Sequence, residues 1–244
     1  MDQVLVYSDS LSWGIVPGTR QRLPFDQRWP GIFEASLNDD DPHVRVIENC
    51  LNGRTTIWSD PVRPGRNGSE GLAQVIEMHS PLKLVVLLLG TNDFQVGRAN
   101  NASSSAAGIA KLIRIIKEAP VEPGIEPPAM LVVAPPQITN PTGDMAAKFS
   151  GAEERSKGLS QEIERVAHDE AVRFFDSNTV IASSAIDGVH LDKQQHQILG
   201  KALATEVLET TTEHGGHGAE FAHQAKRPRS PLGPPPWTTT CGRT

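Results

Sequence analysis

Short apolar runs of strand length alternate with longer stretches of helical period along most of this chain, and that alternation restricts its fold more than any other feature. The β-rich runs fall at 4–7, 44–47, 84–89, 130–133 and 172–175. Helical spacing marks 29–37, 71–79, 105–117, 153–171 and 194–208; in the last, Ile198, Leu199, Ala202, Leu203 and Val207 recur on one face. A strand that is apolar at every position is buried on both faces, and strands joined by helices run parallel. The pattern therefore predicts an α/β, flavodoxin-like three-layer sandwich around a five-stranded parallel sheet. Such sheets place their sites just beyond the carboxyl ends of the strands, so the loops that follow the strands are where chemistry is expected.

Four of those loops are unusual. The first strand leads into Ser8-Asp9-Ser10-Leu11-Ser12-Trp13-Gly14, and the second into Asn49-Cys50-Leu51-Asn52-Gly53-Arg54-Thr55. The third ends in Gly90-Thr91-Asn92-Asp93, and the fifth is followed by Asp187-Gly188-Val189-His190-Leu191. A parallel sheet would bring a hydroxyl, an amide, a glycine and an acid–imidazole pair to one rim. Taken singly, each has a plain structural reading. An isolated Ser10 reads as a helix N-cap, Asp187-Gly188 as a turn, Gly53 as a turn residue, and Asn92 as a side-chain loop cap. The combination is far more specific than its parts. A serine hydroxyl becomes a nucleophile when a histidine takes its proton, and Asp187 stands three residues before His190, close enough to orient the ring.

These blocks, in this order and on these loops, resemble the SGNH, or GDSL, hydrolase family. The resemblance covers nearly all of residues 1–212 and is nearest to the bacterial arylesterase and acyltransferase branch, through Ser10-Leu11-Ser12-Trp13-Gly14 and Arg54-Thr55-Thr56. One position departs: Ser8 stands where the family's opening Gly is expected, at the strand's end and away from the attacking group. The resemblance implies Ser10 as nucleophile, His190 as base and Asp187 as its partner. It implies an oxyanion hole built from the Ser10 N–H, the Gly53 N–H and the Asn92 side-chain amide. The reaction expected is hydrolysis of short acetyl, aryl or alkyl esters through an acyl-enzyme, with transfer of the acyl group to alcohols as a side activity. A carbohydrate or other small-molecule deacetylase of the same fold is the alternative. No cofactor is expected, and homo-oligomers are implied because relatives in this branch assemble.

Trp13, Ile15, Ile138 and Val189 sit on or beside these loops and are candidates for an acyl pocket. Arg54 and Thr55 could meet the substrate or a neighbouring subunit, though Arg54 reads equally as a solvated loop charge. Asp9 and Asp93 read as loop braces that accept backbone N–H bonds. A phosphatase using Asp9 would need an acid two positions on, where Leu11 stands. A noncatalytic binding or scaffold protein is the remaining class, and the presence of Ser10, Asp187 and His190 together argues against it.

The composition separates a body from a tail. Residues 1–212 hold 19 basic and 27 acidic residues, a net of −8, whereas 213–244 hold four basic and two acidic residues and five of the 19 prolines. The expected division is a hydrolase domain over 1–212 and a Gly/Pro-rich, disordered tail over 213–244. The acidic body argues against nucleic-acid partners, which need a concentrated basic surface. No apolar run approaches the roughly 20 residues that cross a bilayer, and the N-terminus lacks the basic and apolar regions of a signal peptide. Two distant cysteines, Cys50 and Cys241, fit a reducing compartment, so the expected location is cytoplasmic. His214, His217 and His223 offer at most adventitious metal binding, and the expected site holds no metal.

Overall fold

The computed structural model describes residues 1–39 and 43–214. Five strands form its sheet: β1 (Asp2–Ser8), β2 (Val44–Cys50), β3 (Leu84–Leu88), β4 (Ala129–Ala134) and β5 (Arg173–Asp176). All pair in parallel, in the order β2-β1-β3-β4-β5. The helices are α1 (Ser10–Trp13), α2 (Trp29–Leu37), α3 (Leu72–His79), α4 (Ala102–Lys117), α5 (Asp144–Lys148), α6 (Ala152–Arg155), α7 (Leu159–Asp169) and α8 (Lys193–His214). No helix among the described residues is long and apolar enough to cross a membrane.

Alternation along each strand divides the core into two layers. Val4 and Val6 of β1 join Val86, Leu88, Leu131 and Val133 under α2 and α8. Leu5 and Tyr7 join Val85, Leu87 and Val132 under α3, α4 and α7. Both faces are dry, which is why these strands read as unbroken apolar runs. The result is the flavodoxin-like three-layer sandwich, with helices on both sides of the sheet.

The chain lays β2 outside β1 and then returns to place β3 on the other side of β1, so the direction of winding switches between β1 and β3. Ser8 pairs with both Cys50 and Leu88. The loops after the first three strands therefore leave the sheet at one level, around a crevice at the switch point.

Boundaries depart from the sequence pattern at three places. The stretch 153–171 forms two helices, α6 and α7, because Gly158 adopts a left-handed φ of 79° between them. Helix α4 begins at Ala102, ahead of its apolar period, because Asn101 and Ser104 form a capping box. Helix α8 runs on to His214, two residues past the expected domain end; the rest of the 213–244 tail, with His217, His223 and Cys241, lies outside the described residues.

Helices α2 and α8 approach closely. A Cβ at Gly200 would lie 2.8 Å from Ile32 Cβ and from the Trp29 carbonyl oxygen. At this contact the Trp29 N–H donates to Nδ1 of the buried His196 at 3.2 Å, while His196 Nε2 has no partner. Nδ1 is thus the acceptor and Nε2 carries the proton, so a charged ring would have to give up its bond to Trp29. Burial, helped by Arg28 and His190, lowers the His196 pKa from 6.5 to about 3. The unfolded chain takes up this proton below pH 6.5 and the folded chain does not, so this contribution to stability is present above pH 6.5 and is lost as pH falls towards 3. Asp9 and Asp93, raised to about 6, act in the opposite sense between about pH 6 and 4. His196→Asn keeps an acceptor for Trp29 and removes the titration. In urea melts from pH 7.5 to 4.5, its stability relative to the parent should rise by up to about 1.4 kcal/mol per pH unit below 6.5. A pH-independent difference would sink this account.

Candidate active site

The serine loop is built by its neighbours. Asp9, not Ser10, is the N-cap of α1: its Oδ1 accepts the Leu11 N–H at 2.9 Å. Ser10 Oγ makes no hydrogen bond among the described residues, although the residue is 7% exposed. Its hydroxyl therefore has no structural duty. Ser8, in place of the expected glycine, lies in extended strand where any residue fits. Its hydroxyl donates to the Leu88 carbonyl at 2.7 Å and accepts from Ser12 Oγ, which in turn accepts from Trp29 Nε1 at 2.9 Å. Ser8 thus adds a satisfied buried chain of hydrogen bonds at the strand's end.

The amide of Asn92 is held at both ends. Its Nδ2 donates to Asp9 Oδ2 at 2.8 Å, and its Oδ1 accepts from Gln95 Nε2. One amide N–H remains for a ligand. Asp93 receives the Thr56 N–H at 2.8 Å, the Thr56 hydroxyl at 2.7 Å and the Ser105 hydroxyl at 2.7 Å. This carboxylate ties the loop after β2 to the loop after β3, and Gly108 leaves room for Thr56, since a Cβ there would lie 2.2 Å from its Oγ1. Asp9 and Asp93 both brace loops, and burial raises each pKa to about 6.

Gly53 has φ +81°, a left-handed conformation that favours glycine, and the end of the Arg63 side chain packs against its open face. Its N–H has no backbone partner among the described residues. Arg54 is buried and is not a solvated charge. It donates to the carbonyls of Ser8 (2.9 Å) and Asn49 (2.5 Å) and to Asn49 Oδ1 (2.8 Å), and lies 4.0 Å from the Tyr7 ring centroid. Thr55 accepts the Trp58 N–H and donates to the Trp58 carbonyl, which folds the following loop back on itself. Both residues shape the site rim from beneath.

On the far side of the crevice, Asp187 Oδ1 accepts the N–H groups of Val189 (3.0 Å) and His190 (2.9 Å), while Oδ2 lies 2.7 Å from His190 Nδ1. Gly188 makes this turn possible: φ is +74°, and a Cβ would lie 2.2 Å from the Thr139 carbonyl oxygen. Desolvation pushes the Asp187 carboxyl up, but the bonds to the His190 ring and the two N–H groups outweigh it and hold the pKa at about 2. The carboxylate is ionised and can only accept, so Nδ1 carries the proton and the Nε2 lone pair is free. The His190 ring also acts electrostatically on Asp9, the residue before Ser10.

A cavity of about 180 Å³ opens beside Asp187 and His190, lined by Gly18, Thr19, Arg20, Thr142, Met145 and Ile186 among others. The four expected pocket residues are not among those that line this cavity. Ile138 and Val189 belong to the larger core cluster, and Ile138 also lines a separate cavity with Thr91 and Phe94. Ile15 is buried and bridges to Arg22, whose guanidinium lies 4.7 Å from the Trp13 ring centroid. Gln95 went unnoticed in the sequence. Its spacing of three from Asn92 was the available signal, since residues so spaced meet across a single turn. No cluster of metal-ligating side chains occurs among the described residues.

A doubly wound sheet with an unengaged serine after β1 and a carboxylate-held imidazole after β5 is the arrangement expected of one class, the SGNH-type hydrolases. Comparison with known proteins narrows it: the GDSL-like lipase/acylhydrolase family matches over residues 9–198, and the chain belongs to that family. Among solved structures, Est24, a carbohydrate acetylesterase from Sinorhizobium meliloti, is 33% identical with a TM-score of 0.81, over 86% of this chain and 100% of that one. The inhibitor-bound aryl esterase of M. smegmatis is 31% identical with a TM-score of 0.81, over 86% and 99%. A lipase/acylhydrolase from Enterococcus faecalis, 16% identical with a TM-score of 0.58, shares the fold. No curated protein gives a match of comparable significance. The protein is a hydrolase acting on esters.

Proposed function

We propose that the protein hydrolyses short-chain acyl esters through an acyl-enzyme on Ser10. The observation that carries this reading is the 2.7 Å contact between His190 Nδ1 and Asp187, which leaves Nε2 as the base. Ser10 Oγ attacks the ester carbonyl as its proton passes to His190. The negative charge formed on the carbonyl oxygen is met by the Ser10 N–H, the Gly53 N–H and the remaining Asn92 amide N–H. Protonated His190, stabilised by Asp187, gives its proton to the departing alcohol. Water, deprotonated by His190, then cleaves the acyl-serine. An alcohol taking the place of that water would receive the acyl group, which gives the transferase side activity. The small cavity beside His190 favours small substrates. Removal of acetyl groups from carbohydrates is the second reading, supported by the likeness to Est24.

Residues 1–212 are proposed as the working unit, since solved relatives are matched over nearly their whole length by 86% of this chain. A fluorophosphonate probe followed by peptide mass mapping tests both points. The full chain and a form ending at Thr212 should each label at Ser10, and to the same extent. Failure of the full chain to label would sink the nucleophile assignment, and loss of labelling only in the shorter form would sink the boundary.

A further inference from the structure

A second cavity, of about 480 Å³, is lined by Asp60, Arg63, Gln95, Arg98 and Lys148, with Val62 and Val96 exposed at its edge. It begins where two of the proposed oxyanion donors end. Gln95 is the residue that holds Asn92 Oδ1, and Arg63 packs against the face of Gly53. Its cations exceed its anions. Arg63 and Arg98 share one carboxylate, Asp60, at 3.4 and 3.9 Å. Lys148 Nζ makes no hydrogen bond and no ion pair among the described residues; its neighbour is the Phe149 ring, 5.4 Å to the centroid. The Lys148 carbonyl accepts the Val96 N–H at 2.9 Å, which fixes the end of α5 against this wall. The chain as a whole carries a net charge of −6, so a local positive surplus runs against its composition.

We infer that this cavity receives a carboxylate borne by the acyl half of the ester, so that the preferred substrates are monoesters of short dicarboxylic acids. The inference rests on the ester-hydrolase reading above and extends it to a substrate class. Placement on the acyl side follows from the chemistry. The departing oxygen takes its proton from His190, so the alcohol occupies the His190 cavity and the acyl chain leads away from it. The His190 cavity is lined by one basic side chain, Arg20, against the carboxylates of Asp144 and Asp187, whereas the second cavity sets Arg63, Arg98 and Lys148 against Asp60 alone. Burial, with the nearby cations Arg63 and Arg20, outweighs the pull of Asp9 and Asp60 and lowers the Lys148 pKa to about 8, a desolvation and repulsion that a bound anion would relieve.

The test compares kcat/KM for monoethyl succinate, glutarate and adipate with ethyl butanoate, pentanoate and hexanoate, which match them in length but lack the charge. At low salt, at least one monoester should exceed its neutral partner by about tenfold or more, the effect of one charge-assisted contact in a partly dry site. Lys148→Met should bring that ratio close to one, and Lys148→Arg should keep most of it. A ratio near one in the parent, or a ratio indifferent to Lys148→Met, overturns the subsite. A preference for 4-acetoxybenzoate over phenyl acetate, with no preference among the monoesters, would place the charge on the alcohol and overturn the acyl assignment. Phenyl acetate turnover separates the two levels. Its absence removes the ester-hydrolase reading itself, whereas its presence with a ratio near one removes only the subsite.

Discussion

Replacing Ser10 by alanine should lower kcat for p-nitrophenyl acetate by roughly 10⁴-fold or more, the size of loss seen when a nucleophile is removed from such a triad. The same change should leave the melting curve almost unmoved. Ser10 Oγ has no hydrogen-bond partner, and the cap of α1 belongs to Asp9, so no buried donor or acceptor is orphaned by its removal. A stability change within about 0.5 kcal/mol is expected. The pairing of the two measurements matters. A serine that capped the helix would give the reverse result, a stability loss of about 1 kcal/mol with activity kept in proportion to folded protein. Turnover by the variant within roughly tenfold of the parent would remove Ser10 from the chemistry, and with it the acyl-enzyme.

The layered fold was legible because burial of β1, β3 and β4 on both faces leaves a continuous apolar run, and burial of one helix face leaves a period. Where burial leaves no period, the reading failed. Helix α5 is five residues long with one buried side chain, Met145, and showed no pattern. The break between α6 and α7 depends on the left-handed backbone at Gly158, which an apolar count passes over. The proposed site residues were readable for another reason: Ser10, Gly53 and Asn92 follow within a few residues of the ends of β1, β2 and β3, which the sheet brings together, whereas Asp187 and His190 come well after β5 and were read from their own spacing. The residues that hold them were not. Asp93 reaches Thr56 and Ser105, Arg54 reaches Ser8, and Arg63 reaches Gly53 across distances in sequence that no local spacing encodes. Arg54 read equally as a contact to substrate or subunit and as a solvated charge; its burial depends on Tyr7 and on carbonyls from two strand ends, which no local spacing shows.

Asn92→Ala is expected to lower kcat for p-nitrophenyl acetate by roughly 10²–10³-fold with KM little changed, the loss typical of one oxyanion donor, or about 2.7–4 kcal/mol of barrier. The split between kcat and KM follows from the amide's position. Its Nδ2 already donates one hydrogen to Asp9 in the resting site, so the second meets charge that develops only as the tetrahedral oxyanion forms. A purely structural Asn92 predicts otherwise. Its loss would strip Gln95 Nε2 of an acceptor and Asp9 of a donor, all buried, and cost about 1–3 kcal/mol of stability while the surviving folded enzyme kept its kcat. Both effects are expected together, so kcat must be referred to active-site concentration from fluorophosphonate titration. Gln95→Leu supplies the control. It frees Asn92 Oδ1 and lets the amide turn, yet leaves every proposed oxyanion donor in the chain, so its kcat should fall by less than that of Asn92→Ala for a comparable loss of stability. Equal kcat losses in the two variants would assign Asn92 to the scaffold of the loop and leave the oxyanion to the N–H groups of Ser10 and Gly53.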